Sequence, residues 1–124
     1  MFKGKFYMVE KIKITDEFMR QTLAKGKQYF LVIYKKGGGV DFTKEEADKI
    51  QWDHLRYLFG LRAQGNLLLN GLVSDNREFT GIGIFNSSDK EEIKRWMDED
   101  PLIKVGKRSY ELYPYFGIPG DRLS

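Results

Sequence analysis

The chain contains one histidine, His54, in the stretch QWDHLRYLFGLRAQGNLLLNG that begins at residue 51. Histidine is the side chain whose ordinary pKa allows proton transfer near neutral pH, so a lone histidine in an apolar setting is the first candidate for acid–base chemistry. Ala47, Ile50, His54, Leu58 and Leu61 follow steps of three and four and share one helical stripe. His54 is therefore expected on the face that meets the rest of the fold. Asp53 and Arg56 point elsewhere, so the adjacent carboxylate is not its partner by default. Two readings are open from the spacing. His54 is either a core histidine satisfied by a backbone carbonyl, or a cavity residue that burial and a carboxylate would poise as a general acid or base.

A second pattern lies in FTGIGIF. Phe79, Gly81, Gly83 and Phe85 share one strand face, with two positions lacking side chains between two aromatic rings. Glycine inside a strand marks close approach of a ligand or of another backbone, and packing against a helix or a dimer partner accounts for it equally well. The GGG run at 37–39 matches neither phosphate-binding fingerprint and reads as a connector.

Composition removes whole classes of chemistry. With no cysteine, disulfides, thiolate catalysis and cysteine-bound metal clusters are excluded, and one histidine excludes a multi-histidine metal centre within one chain. The acidic run Asp98, Glu99, Asp100 at a helix end reads as solvated, so neither metal nor cofactor is expected. A net charge of +3 is mild for a duplex-binding protein. The basic start MFKGKFYMVEKIKI reads as an edge strand with exposed lysines rather than a membrane contact. No segment has the apolar length to span a bilayer or to act as a signal peptide, so the expected location is the cytoplasm.

The 124 residues suffice for one core. A strand is expected over Phe6–Ile14, then a helix capped by Thr15, with Asp16 and Glu17 in its first turn, Ile14 and Met19 as a staple and Gly26 as a left-handed stop. QYFLVIY at 28–34 is the clearest strand. The longest helix follows, with Thr43 and Glu46 as a capping box, Phe42 and Ala47 as its staple, Gly60 as a weak spot, and Gly65 ending it after Gln64. NLLLNGLV and EFTGIGIF read as antiparallel strands joined through SDNR. A further helix is expected from a Ser88–Glu91 capping box, with Ile93, Trp96 and Met97 inward, ending at Asp100-Pro101. KRSYELYPYF is the last strand.

From residue 28 the order is β-α-β-β-α-β. It predicts an α+β, ferredoxin-like domain: a four-stranded antiparallel sheet with two helices on one face. The expected divisions are an N-terminal extension over 1–27, the domain over 28–116 and a tail over 117–124. Tyr29, Leu31 and Ile33 alternate with Phe30, Val32 and Tyr34, so both sheet faces are apolar. The face without helices needs a cover, most simply the sheet of a second copy, the alternative being the N-terminal extension alone, and a larger assembly is left open.

DHLRYLFGLRAQGNLLLNGLV, followed by a Gly-bearing strand and DEDPLIKVG, resembles the YCII-related family of the dimeric α/β barrel superfamily. The resemblance covers about residues 28–116. It rests on a helix histidine, a leucine-rich turn, a Gly-Asn strand start, and Asp-Pro ahead of a short segment ending in Gly. It implies protomers that pair through their sheets into a barrel, and a His/Asp-centred site in a cleft. His54 corresponds to the family histidine and Asp100 to its acid, which would fix the imidazole tautomer and stabilise its protonated form. Helix termination alone also accounts for Asp100. Family members usually read Ala-Gly-Pro after the second strand, whereas this chain has Asn70-Gly71-Leu72, so the pocket wall there is reshaped and no family substrate is transferred.

By analogy with the superfamily, the first function expected is that of a cofactor-free lyase or isomerase. His54 would move a proton on a small cyclic or carbonyl-bearing molecule, Tyr34, Phe79 and Phe85 would stack against it, and Gly81 and Gly83 would leave it room. The second is a non-catalytic small-molecule-binding or regulatory dimer. The third, an RNA-binding domain with the same strand order, is disfavoured because REFTGIGIF lacks the Lys/Arg-Gly-aromatic start of the RNA motif.

Overall fold

The structure, a computed structural model, describes residues 12–124. A short helix α1 (Asp16–Ala24) precedes the domain, which runs β1 (Lys27–Lys36), α2 (Lys44–Ala63), β2 (Leu67–Leu72), β3 (Phe79–Phe85), α3 (Lys90–Asp98), α4 (Pro101–Lys104) and β4 (Arg108–Gly117). The four strands form one antiparallel sheet in the order β2-β3-β1-β4, the ferredoxin-like arrangement expected from the sequence.

Local chemistry explains the element ends. At α2, the Thr43 hydroxyl accepts from the Glu46 amide at 3.1 Å while the Glu46 carboxylate accepts from the Thr43 amide at 2.9 Å. Gly65 takes a positive φ of 78° immediately past that helix, as its stop requires. Thr15 caps α1 as expected, its hydroxyl accepting from the Phe18 amide at 3.1 Å.

Two local expectations are corrected, and a third lies mostly outside the described residues. The strand over Phe6–Ile14 falls mostly outside the described residues, and Ile12–Ile14 are not strand. Gly26 is not a left-handed cap. Lys25 closes α1 with right-handed angles, and the exposed Phe116 ring lies over position 26, where a side chain would have to displace it. At α3 the cap is Asp89 rather than Ser88. Its carboxylate accepts from the Glu91 amide at 3.0 Å while the Ser87 hydroxyl holds the Asp89 amide at 3.0 Å, and a charged acceptor in the positive first turn outcompetes a hydroxyl.

The core lies between the helices and one sheet face. Phe30, Val32 and Tyr34 of β1 meet Phe85 of β3, Leu67 of β2, Leu58 and Leu61 of α2, and Ile93 and Met97 of α3. Trp96 closes one side, its ring 5.9 Å from that of Phe85. The opposite face carries Leu31 and Ile33 of β1, paired with Ile84 and Ile82 of β3, and beside them the exposed Tyr113 and Tyr115 of β4. Among the described residues, the C-terminal tail reaches this face at one end, over a groove of about 480 Å³ lined by Tyr29, Leu69, Ile84, Tyr115 and Leu123. No helix of the described residues is long and apolar enough to cross a membrane.

Candidate functional site

The helical stripe places His54 on the inner side of α2, with Leu58 one turn further on and buried. Asp53 turns outward, as its position on the wheel requires, and pairs with Lys49 and Arg56 at the surface. The partner of His54 comes from 46 residues away. Asp100 sits in the joint between α3 and α4, and both of its carboxylate oxygens lie 2.8 Å from His54 Nδ1.

The joint is built to hold that carboxylate still. Pro101 occupies the first position of α4, where its lack of an N–H costs nothing. The next amide, that of Leu102, donates to Asp100 Oδ1 at 2.9 Å. The backbone of Asp100 is tied as well, its amide donating to the Met97 carbonyl and its carbonyl accepting from Ile103 and Lys104. Asp100 therefore terminates α3, caps α4 and grips the imidazole at once. Among the described residues it is the one buried carboxylate. A buried carboxylate without donors would cost several kcal/mol. Here it is answered by the Leu102 N–H and the imidazole. A carboxylate accepts and does not donate, so this geometry suits the neutral-ring tautomer with its proton on Nδ1 and a lone pair on Nε2.

Asp98 and Glu99 point away from this pair. Asp98 accepts from the Tyr110 hydroxyl at 2.9 Å, and Glu99 meets Lys104 at 3.1 Å. Among the described residues, no three His, Cys, Asp or Glu side chains gather in a way that could hold a metal ion.

His54 lines a small cleft of about 90 Å³. Gln51 and Leu58 flank it on α2. Tyr34 and Gly81, paired across β1 and β3, form part of the sheet wall. Gly81 has no room for a side chain, since a Cβ there would come within 2.6 Å of the Gly71 carbonyl oxygen. Asn70, Gly71 and Leu72 form the edge-strand wall, and Thr80, Leu102 and Arg108 complete the lining.

Tyr34 is buried, and its hydroxyl has no hydrogen-bond partner among the described residues. Burial, reinforced by the nearby charge of Asp100 and by Tyr57, pushes its pKa well above the ordinary tyrosine value, so it stays a neutral donor. Tyr57 donates to the Trp96 carbonyl at 2.7 Å, and burial, with Glu99 and Asp100 adding to it, pushes its pKa up to about 12.

Of the residues singled out from sequence, the structure thus brings His54, Asp100, Tyr34 and Gly81 together. Gly83 and Phe85 share the strand face with Gly81 but lie beneath the helices. Phe85 is fully buried in the core, and a Cβ at Gly83 would press on Phe85 and Leu67. Phe79 stands opposite Lys35, beyond a register shift in the β1–β3 pairing, and does not line the cleft. The stacking walls expected from Phe79 and Phe85 are therefore not part of this cleft. Gln51 escaped notice although it lies one turn before His54 on the same helix, where the wheel would have found it. Arg108 carried no such signal, because only the sheet order places β4 beside β1.

The model of the YCII-related domain matches residues 27–116. Among solved structures, a crystal structure of muconolactone isomerase is similar with a TM-score of 0.60 and 16% identity, covering 77% of this chain and 96% of the other. The 5-chloro-2-hydroxyhydroquinone dehydrochlorinase TftG of Burkholderia phenoliruptrix AC1100, in complex with 2,5-dihydroxybenzoquinone, is similar with a TM-score of 0.50 and 18% identity, covering 69% and 92%. At these identities the likeness is one of fold. No curated protein matches the sequence.

Proposed function

The chain belongs to the YCII-related domain family, and from that premise we propose that it is a cofactor-free enzyme in which His54 moves a proton on a small cyclic or carbonyl-bearing molecule. The observation that carries the proposal is the grip of Asp100 on His54 Nδ1, 2.8 Å from each oxygen, with the ring on the wall of a cleft. A histidine kept only for packing would not need the one buried carboxylate among the described residues behind it.

The chemistry follows from the tautomer. Nε2 takes a proton from a carbon beside a carbonyl, and the C–H electron pair moves into the carbonyl to give an enolate. The imidazolium so formed faces the Asp100 carboxylate, which stabilises it in place. Return of the proton to a different carbon completes an isomerisation. Departure of a leaving group from the neighbouring carbon completes an elimination. The isomerase and the dehydrochlorinase that share the fold are named for reactions of these two kinds, which supports the class without naming a substrate. The apolar open face of the sheet supports pairing with a second copy, and the two-protomer barrel is part of the same proposal.

The test is turnover of small lactones, cyclic enones and halogenated hydroxyquinones in D₂O, followed by loss of proton signals. His54→Gln and Asp100→Asn are each expected to lower kcat/KM on any responsive compound by about 10²–10⁴-fold. Turnover indifferent to both substitutions would overturn the catalytic role of the pair. Binding without turnover of any compound would favour the non-catalytic module.

A further inference from the structure

We infer that Arg108 makes the cleft a carboxylate-recognition site, so that the molecule His54 acts on carries a carboxylate. The inference rests on the proposed role of the cleft and adds the chemical class of its ligand.

Three observations converge. First, Arg108 is the one arginine of the chain that is not exposed; Arg20, Arg56, Arg62, Arg77, Arg95 and Arg122 all face solvent. Arg108 is half-buried, and a guanidinium partly withdrawn from water costs free energy unless an anion answers it. Second, Arg108 has no acidic partner among the described residues. Its recorded side-chain hydrogen bond is to the Lys107 carbonyl at 3.1 Å, which occupies one of five donors and supplies no negative charge. Other cations, including Arg20, Lys49, Arg56 and Lys104, do meet carboxylates. Third, among the described residues no Asp or Glu lines the cleft. Asp100 lies behind His54 with its oxygens already engaged, so the lining presents a guanidinium and an imidazole with no negative charge between them.

The position suits recognition rather than stability. Arg108 opens β4 opposite Lys36, one two-residue step from the Tyr34–Tyr110 pair and on the same side of the sheet. It therefore stands on the sheet wall, while His54 stands on the helix wall. A planar carboxylate matches the fork of a guanidinium through two parallel hydrogen bonds, which an amide of the same shape cannot supply. A small molecule anchored this way presents the rest of its skeleton across the cleft, where Nε2 would meet it.

The probes are 2-furoate and 2-furamide, equal in size and differing in charge, titrated by calorimetry into the full chain. Shifts of the His54 ring resonances report whether binding is in the cleft. Furoate is expected to bind about tenfold or more tighter than furamide. Arg108→Gln should abolish that preference, and Arg108→Lys should retain part of it. An equal response to the two probes in the wild-type chain, including no binding of either, would overturn the inference without any variant. So would a preference that survives Arg108→Gln, or inorganic phosphate displacing furoate more tightly than furoate itself binds. A failure here leaves the His54 dependence of turnover intact, whereas loss of that dependence would leave the furoate preference untouched.

Discussion

A carboxylate shut away from water is held by whatever donates to it, and at Asp100 two elements supply the donors, α4 through the Leu102 amide and α2 through His54. The tyrosines around this pair follow the opposite rule, because burial favours their uncharged form. Tyr57 and Tyr110 are pushed up to about 12 from an ordinary 10.0, Tyr57 by burial and then Glu99 and Asp100, Tyr110 by burial and then its hydrogen bond to Asp98. A folded-state pKa above the unfolded one contributes stability that is fully present below the unfolded value and is lost as pH rises through the folded one. The melting temperature should therefore hold up to about pH 10 and fall between about pH 10 and 12. Tyr34 adds to the loss in the same direction. Because its hydroxyl has no partner, Tyr34→Phe should keep stability within about 1 kcal/mol of the wild type at neutral pH and soften the alkaline fall. A loss of more than about 2 kcal/mol in urea unfolding would mean that the hydroxyl is bonded in the free protein.

Two glycines separate what an element tolerates from what the cleft demands. Gly60, inside α2, is exposed with nothing within 4 Å of an added Cβ, so Gly60→Ala should stabilise by about 1 kcal/mol. Gly81 faces the Gly71 carbonyl, so Gly81→Ala should destabilise by about 1–3 kcal/mol and disturb the β2 wall of the cleft. Thermal unfolding of the two variants should thus move in opposite directions. The elements themselves were legible because their signals are local. The Thr43–Glu46 box, Gly65 and the alternation of β1 each act within a few residues. The α3 cap was misplaced by one residue because Ser87, Ser88 and Asp89 all have side chains able to cap, and only the folded turn selects among them. Gly26 was misread because the ring that lies over it, that of Phe116, is 90 residues away.

For the whole molecule, the β-α-β-β-α-β order led to the correct sheet, since short connections and antiparallel pairing leave few alternatives. His54 and Asp100 could be matched through the family pattern, and Tyr34 and Gly81 through strand faces. Arg108 could not, since it reaches the cleft only once β4 lies beside β1. The same geometry leaves Ile33 central on the open face. On the proposed pairing, sedimentation of the wild-type chain should give twice the chain mass, and Ile33→Glu should give the single-chain mass with the domain still folded. A wild-type chain that sediments singly at all concentrations would contradict the barrel.

On the proposed function, Asp100 fixes the proton of His54 on Nδ1 and leaves Nε2 as the reactive nitrogen. Long-range ¹H–¹⁵N correlation on the neutral ring tests it directly, since the single histidine needs no assignment. The expected result is a protonated Nδ1 and an unprotonated Nε2 in the wild type, a preference weakened in Asp100→Asn. A proton found on Nε2 would contradict it, because the nitrogen assigned to the chemistry would then have no lone pair to use.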